Sequence, residues 1–200
     1  MKQTIVSLDL EGVLVPEIWI AVAEKTGIEA LRRTTRDEPD YDLLMRSRLD
    51  IMRENNLKLS DIQDVIASLS PLEGAKGFLD ELRAQTQVVI LSDTFVQFAN
   101  PLMRQLDWPA IFCNHLEVSD NVIVNYHLRQ PDQKRQSVVA FKSLNYQVIA
   151  AGDSYNDTTM LEAADHGILF RAPVNVKAEF GNFPAVEEYS ELMALIEEHL

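Results

Sequence analysis

Three short apolar runs punctuate the chain, and each ends in acids or hydroxyls. Thr4–Leu8 leads into Asp9-Leu10-Glu11-Gly12, residues 88–91 lead into Ser92-Asp93-Thr94, and residues 148–151 lead into Gly152-Asp153-Ser154. Runs of four to six apolar positions without alternation read as strands buried on both faces, hence as a parallel sheet. Helical patterns over 74–83, 95–106 and 133–144 separate them, as parallel crossovers require. The fold class this predicts is α/β, a Rossmann-like parallel sheet with helices on both faces. Ligands of such sheets bind beyond the carboxyl ends of the strands. The three runs therefore deliver Asp9, Glu11, Ser92 and Asp153 to one rim.

Two segments break that rhythm. Residues 15–69 read as helical throughout, with Pro16 in a first turn and Ser60 as an N-cap. An all-helical insert directly after the first functional loop predicts a cap over residues 15–70, set on a core made of 1–14 and 71–200. Residues 116–128 predict a hairpin, turned at Ser119-Asp120-Asn121 between Val-rich arms. Within the insert, Tyr41, Leu44, Met45, Ile51 and Met52 all fall within about 60° of Arg48 on a helical wheel. Arg46, Asp50 and Arg53 fall on the opposite face. Arg48 thus lies in the middle of an apolar stripe, where a charge needs a partner. A structural ion pair or a snorkelling stem would satisfy it. So would an anion bound beneath the cap.

Composition narrows the partners. Thirty-one acids against 18 bases give a formal charge of −13 over 200 residues. Such a balance repels nucleic-acid backbones and anionic lipid, and no basic patch offsets it. A single cysteine, Cys113, fits a reducing compartment. No apolar run approaches the ~18 residues of a membrane span, and acids arrive too early for a signal peptide. These features predict a soluble cytoplasmic protein whose partners are small molecules, not nucleic acid or membrane.

The rim residues have a chemistry of their own. Asp9 and Glu11 on one loop, with Asp153 and Asp157 on another, offer an oxygen-rich set suited to Mg²⁺. Four scattered histidines and one cysteine make no zinc cluster. A carboxylate can also attack phosphorus, provided positive charge is placed in advance. Lys134 can supply that charge, with Ser92 and loop N–H groups binding phosphoryl oxygens. Lys142 and Lys76 are equally available on chemistry alone. Gly12 and Gly152 permit close backbone approach.

Asp9-Leu10-Glu11-Gly12-Val13, Leu91-Ser92-Asp93-Thr94, Lys134 and Gly152-Asp153-Ser154-Tyr155-Asn156-Asp157 together resemble the four motifs of the haloacid dehalogenase superfamily. Their spacing and the helical insert resemble its phosphoserine phosphatase branch. Five stretches (9–21, 71–74, 92–95, 135–144 and 150–161) look like bacterial members that also pass the phosphoryl group from phosphoserine to homoserine. The resemblance implies that Asp9 is the nucleophile and a Mg²⁺ ligand. Glu11 would lend its carbonyl to the metal and its carboxyl to acid–base work. Asp153 would complete the ligands, with Asp157 behind them. Ser92, Asp93 and Lys134 fall at phosphate-binding positions. Arg48 matches the group that holds a substrate carboxylate. Tyr41 matches a shielding aromatic, Glu17 lies within one residue of the acid that meets the substrate amine, and Asn156 completes the substrate set. A homodimer accords with the same likeness.

Two departures stand out. Glu11 replaces the more usual Asp, moving the carboxyl by about one C–C bond. Asp93 follows the motif serine where many relatives carry Gly; its carboxylate is expected to point away from phosphate and hold the loop, because repulsion would undo the site. The alternatives are the same chemistry on another small phosphate, a receiver-type phospho-accepting domain, or an inactive binding member of the fold. A receiver has no need of a helical insert of ~55 residues.

Overall fold

The computed structural model describes residues 2–34, 37–38 and 40–200. Seven strands form one sheet: β1 (Thr4–Leu8), β2 (Gln87–Phe95), β3 (Ala110–Ser119), β4 (Val122–His127), β5 (Gln147–Gly152), β6 (His166–Phe170) and β7 (Ala185–Val186). Their order is β4-β3-β2-β1-β5-β6-β7, and every neighbouring pair is parallel except β3 with β4. β1 sits at the centre of this α/β sheet, so Asp9 emerges from its middle, between the ends of β2 and β5.

The absence of alternation in the apolar runs has the expected cause. Along β5, Ile149 and Ala151 enter one apolar cluster while Val148 and Ala150 enter the other. Along β2, Ile90 faces one way and Val89 and Leu91 the other. Helices α4 (Ala75–Gln85), α5 (Val96–Gln105) and α9 (Tyr189–Glu197) contribute to the first cluster. Helices α6 (Gln133–Ser143), α7 (Thr158–Ala163) and α8 (Val174–Glu179) contribute to the second. Burial on both faces removes the period-two signal.

Between β1 and α4 lie α1 (Ile18–Thr26), a 3₁₀ turn (Glu29–Arg32), α2 (Tyr41–Glu54) and α3 (Leu59–Ala67). The insert is therefore three helices with loops between them, not one helical stretch. Asp40 caps α2 by accepting the Asp42 and Leu43 N–H groups at 3.0 and 3.1 Å. Pro16 stands ahead of α1 and not inside its first turn, and Ser60 lies inside α3, whose N-cap is Lys58. At this end Asp61, three residues in, accepts the Lys58 N–H at 2.8 Å, the reciprocal half of a capping box. The insert does not carry a separate core: Val22, Leu31, Met45 and Ile62 join Phe98 and Leu102 of α5 in one cluster. Trp19 meets Phe98 edge-on at 5.5 Å between ring centres.

The expected hairpin is β3–β4, with Asp120 and Asn121 both at positive φ, 49° and 66°. That pair of left-handed residues turns the strands with the twist they need. The hairpin also clasps the insert. Asn121 accepts the Leu59 N–H through its carbonyl (2.9 Å) and the Ser60 N–H through its side chain (3.1 Å). Tyr126 donates to Asp42 at 2.5 Å. Among the described residues no helix is long and apolar enough to cross a membrane.

Candidate active site

A cavity of about 410 Å³ opens between the carboxyl rim of the sheet and helices α1 and α2. Ten of the eleven residues singled out in the sequence line it: Asp9, Glu11, Glu17, Tyr41, Arg48, Ser92, Asp93, Lys134, Asp153 and Asn156. The eleventh, Asp157, lies beneath the floor and is wholly buried.

The floor is a charge cluster assembled by backbone geometry. Asp9 continues the β1–β5 ladder, its N–H donating to the Ala151 carbonyl at 3.0 Å, and its Oδ1 accepts the Leu10 N–H at 2.7 Å. Lys134, at the start of α6, reaches Asp9 at 2.9 Å and Asp157 at 2.7 Å. The other Asp157 oxygen accepts the Asp153 and Ser154 N–H groups at 3.0 and 3.1 Å, fixing the loop after β5. Two glycines make room. A Cβ on Gly12, which sits at φ +77°, would lie 2.6 Å from the Asp153 carboxyl, and one on Gly152 would overlap Asp157. Both positions exclude a side chain because a carboxylate occupies its space.

Three buried carboxylates, Asp9, Asp153 and Asp157, offer oxygens within 4.8 Å of one another. Lys134 is the sole ammonium among the ion pairs of this cluster in the described residues. Burial raises the Asp9 carboxyl well above the carboxylate range; Asp157 pushes the same way, Lys134 opposes, and Asp153 adds to the rise. Burial alone would lower the Lys134 ammonium, but Asp157, Asp9 and Asp93 outweigh it and hold the group well above the ordinary lysine value. An excess of carboxylates this close and this dry has the make-up of a divalent-cation site for a hard, oxygen-loving ion.

Glu11 has a second task. Its Oε2 accepts the Ile18 N–H at 2.8 Å, capping α1, which has no side-chain cap of its own at Glu17. The longer side chain thus ties the motif loop to the insert. Burial pushes the Glu11 carboxyl up to about 8; Glu17 adds to the rise, while the Ile18 bond, Arg48 and Lys134 pull against it. Near neutral pH the group holds a proton it can give.

Asp93 holds the end of β2 in place. Its carboxylate accepts Gln133 Nε2 at 3.0 Å and Asn156 Nδ2 at 3.1 Å, with Lys134 at 3.7 Å. It ties the end of β2 to α6 and to the Gly-Asp-Ser loop, so its carboxylate braces the rim. Ser92 is buried, with its hydroxyl accepting the Thr94 N–H at 3.2 Å.

The opposite wall belongs to the insert. Arg48 is 6 % exposed, stacks over Trp19 at 4.4 Å and donates to the Arg33 carbonyl at 2.8 Å. Its Nε is buried without a hydrogen-bond partner, and among the described residues no ion pair includes it. Burial lowers its guanidinium to about 10, with Tyr41, Glu11 and Glu17 holding it up. Tyr41 donates to the Asp93 carbonyl at 3.2 Å, joining this wall to the floor, and its hydroxyl is driven upward by burial. Glu17 lies at the N-cap position of α1, facing the same space.

Sequence reasoning passed over three contributors. Trp19 carries no signal in the sequence, yet it forms the platform under Arg48. Gln133 gave no signal beside Lys134, yet it holds the Ser92 carbonyl at 2.6 Å as well as Asp93. Arg171 follows β6 and lines the cavity; only its position after a strand end could have flagged it.

The family model for haloacid dehalogenase-like hydrolases matches residues 4–165. The chain is 66% identical over 189 residues to phosphoserine phosphatase ThrH of Pseudomonas aeruginosa, a match covering 94% of this chain and 92% of that protein. It is 65% identical over 190 residues to a phosphoserine phosphatase of Pseudomonas syringae pv. tomato, covering 94% and 80%. Among solved structures, a substrate-bound phosphoserine phosphatase complex superposes with a TM-score of 0.78 at 20% identity, covering 98% of this chain and 99% of that one. At that identity the likeness speaks for the fold.

Proposed function

The chain belongs to the haloacid dehalogenase-like hydrolases, and from that premise we propose that it hydrolyses O-phospho-L-serine through a phosphoryl group carried briefly on Asp9. A second outlet passes the phosphoryl group to homoserine. The observation that carries this reading is the pairing of opposites in one cavity: a buried carboxylate nucleophile beside Lys134, and a buried Arg48 with an open Nε across from it. A phosphate ester that also bears a carboxylate meets both ends.

The residues divide the work. An Asp9 oxygen attacks phosphorus as the P–O bond to serine breaks. The proton of Glu11 goes to the leaving serine oxygen, which its raised carboxyl suits. In the second step Glu11, now ionised, takes a proton from water or an acceptor hydroxyl, whose oxygen attacks phosphorus and frees Asp9. Ser92 and Lys134 orient phosphoryl oxygens. Arg48 grips the substrate carboxylate, Glu17 meets the amine, and Tyr41 and Asn156 close the sides. The buried acids fit Mg²⁺, which the Asp9 and Asp153 carboxylates and the Glu11 carbonyl would hold, with Asp157 steadying them from behind. Bound there, the ion would offset the negative charge of the carboxylates and the phosphoryl group. Residues 15–70 act as the cap that selects the alcohol.

The homoserine outlet rests on Glu11. Its extra methylene and its bond to Ile18 change where the base stands relative to the attacking hydroxyl. The similarity to a protein named ThrH points the same way. One buried cysteine and an acidic surface suit a cytoplasmic setting.

The test uses the purified chain with phosphoserine and Mg²⁺, with and without homoserine. Phosphate and serine are expected in both cases, and phosphohomoserine when homoserine is present. Free phosphate alone in both would remove the transfer step and leave the phosphatase. No phosphate from phosphoserine would overturn the whole reading.

A further inference from the structure

Among the described residues three cations line the cavity, and they are not equivalent. Lys134 is committed to Asp157 and Asp9 on the floor. Arg48 is deep in the cap wall. The third, Arg171, follows β6 directly and is among the residues that line the same cavity. Among the described residues no ion pair includes it, although the chain carries 31 acids.

Arg171 is also held in place. Its backbone has φ +52°, a left-handed conformation that costs an arginine energy and needs support from its surroundings. Its N–H donates to the Val186 carbonyl at 2.9 Å and its Nε to the Glu187 carbonyl at 2.9 Å. Its guanidinium carbon lies 4.8 Å from the Phe170 ring centre and 4.7 Å from that of Tyr189. Tyr189 in turn donates to the Val13 carbonyl at 2.7 Å, beside the Glu11-Gly12 loop. The charge is thus fixed by two backbone bonds and two rings, on a framework shared with the catalytic loop. Carbonyls and ring faces position a guanidinium without neutralising it.

We propose that Arg171 is the capture residue of the site: a fixed cation at the mouth that draws a phosphate-monoester dianion through an acidic surface and into the cavity. This rests on the preceding functional reading and adds to it a residue that touches no reacting atom. It acts on encounter and binding, not on the chemical step, and its pull weakens as salt rises.

The experiment compares the native chain with Arg171→Gln and Arg171→Lys, across a series of ionic strengths with Mg²⁺ present. Two quantities are read: steady-state kinetics on phosphoserine, and binding of inorganic phosphate by calorimetry. For Arg171→Gln, KM is expected to rise roughly three- to tenfold at low salt with kcat within about twofold of native. Phosphate binding should weaken by the same factor, and the fall of kcat/KM with salt should flatten. Arg171→Lys loses the stacked guanidinium but keeps the charge, so it should recover the salt dependence. A native salt dependence and native phosphate affinity in Arg171→Gln would overturn the proposal. So would a flattened response in Arg171→Lys equal to that of Arg171→Gln, which would assign the effect to lost packing. If phosphoserine is not turned over at all, the preceding reading fails while the phosphate-binding arm still decides the role of Arg171.

Discussion

The two walls of the cavity satisfy their charges in opposite ways. On the floor, Lys134 is locked to Asp9 and Asp157, and Asp157 is locked in turn to the Asp153 and Ser154 N–H groups. On the cap side, Arg48 is as well buried but rests on a tryptophan face, the Arg33 carbonyl and the Met45 sulfur, with its Nε unused. Leaving a buried polar group unsatisfied costs on the order of 1–3 kcal/mol, more when it is charged. The contrast teaches which half of the site has its charges met within the protein and which half does not; in the proposed function the floor carries chemistry common to many phosphate esters, and the cap reads which ester has arrived.

The sharpest way to break that division is at Asp9. Asp9→Asn keeps the side chain's size and removes the proposed nucleophile, so phosphate release should fall by at least about a thousandfold for any phosphate ester. Its circular dichroism spectrum should stay native. Turnover within tenfold of native would show that the floor does not work as described.

Next in size is Arg48→Ala. Losing a charge-assisted, desolvated contact of about 3 kcal/mol should raise KM for phosphoserine by roughly a hundredfold. Phenyl phosphate, which has no carboxylate, should be affected less than about threefold. A loss shared equally by both substrates would blur the boundary between the walls.

Glu11 joins the walls, and its titration sharpens the picture. Its carboxyl is raised from an ordinary 4.5 to about 8, so the folded state favours the protonated form. That contribution to stability is present in full below the ordinary value and is lost as pH rises through about 8. In the metal-free protein Tm should therefore fall between about pH 4.5 and about pH 8, and Glu11→Gln should show a flatter fall over the same range. Parallel curves would place the titration elsewhere.

The smallest effect is expected at Tyr41. Tyr41→Phe removes one neutral hydrogen bond between cap and floor, worth about 1 kcal/mol. A change of a few-fold in KM with kcat held is the expected reading in steady-state kinetics. A large drop in kcat would mean that the bond to the Asp93 carbonyl positions the floor itself.

Much of this was legible in the sequence, for identifiable reasons. Strands buried on both faces lose their alternation, and the three central ones end in chemistry, so β1, β2 and β5 announced themselves. Arg48 stood out because a charge in an apolar helical stripe violates ordinary patterning. The short strands β6 and β7 escaped notice: five residues beginning His-Gly, and a pair, are too brief for periodicity to register. Residues 15–69 looked uniformly helical because the breaks between α1, α2 and α3 carry only local turn signals. Gln133, Trp19 and Arg171 were illegible for another reason. Their importance lies in contacts across the chain, with Ser92, Arg48 and Tyr189, and no local spacing encodes those.

The division between floor and cap is tested most directly by one square of measurements: native, Asp9→Asn and Arg48→Ala proteins, each assayed for kcat/KM on phosphoserine and on phenyl phosphate with Mg²⁺. Asp9→Asn should abolish both activities, whereas Arg48→Ala should lose phosphoserine turnover by roughly a hundredfold and keep that on phenyl phosphate. Equal losses on both substrates in Arg48→Ala, or none on either, would contradict the account.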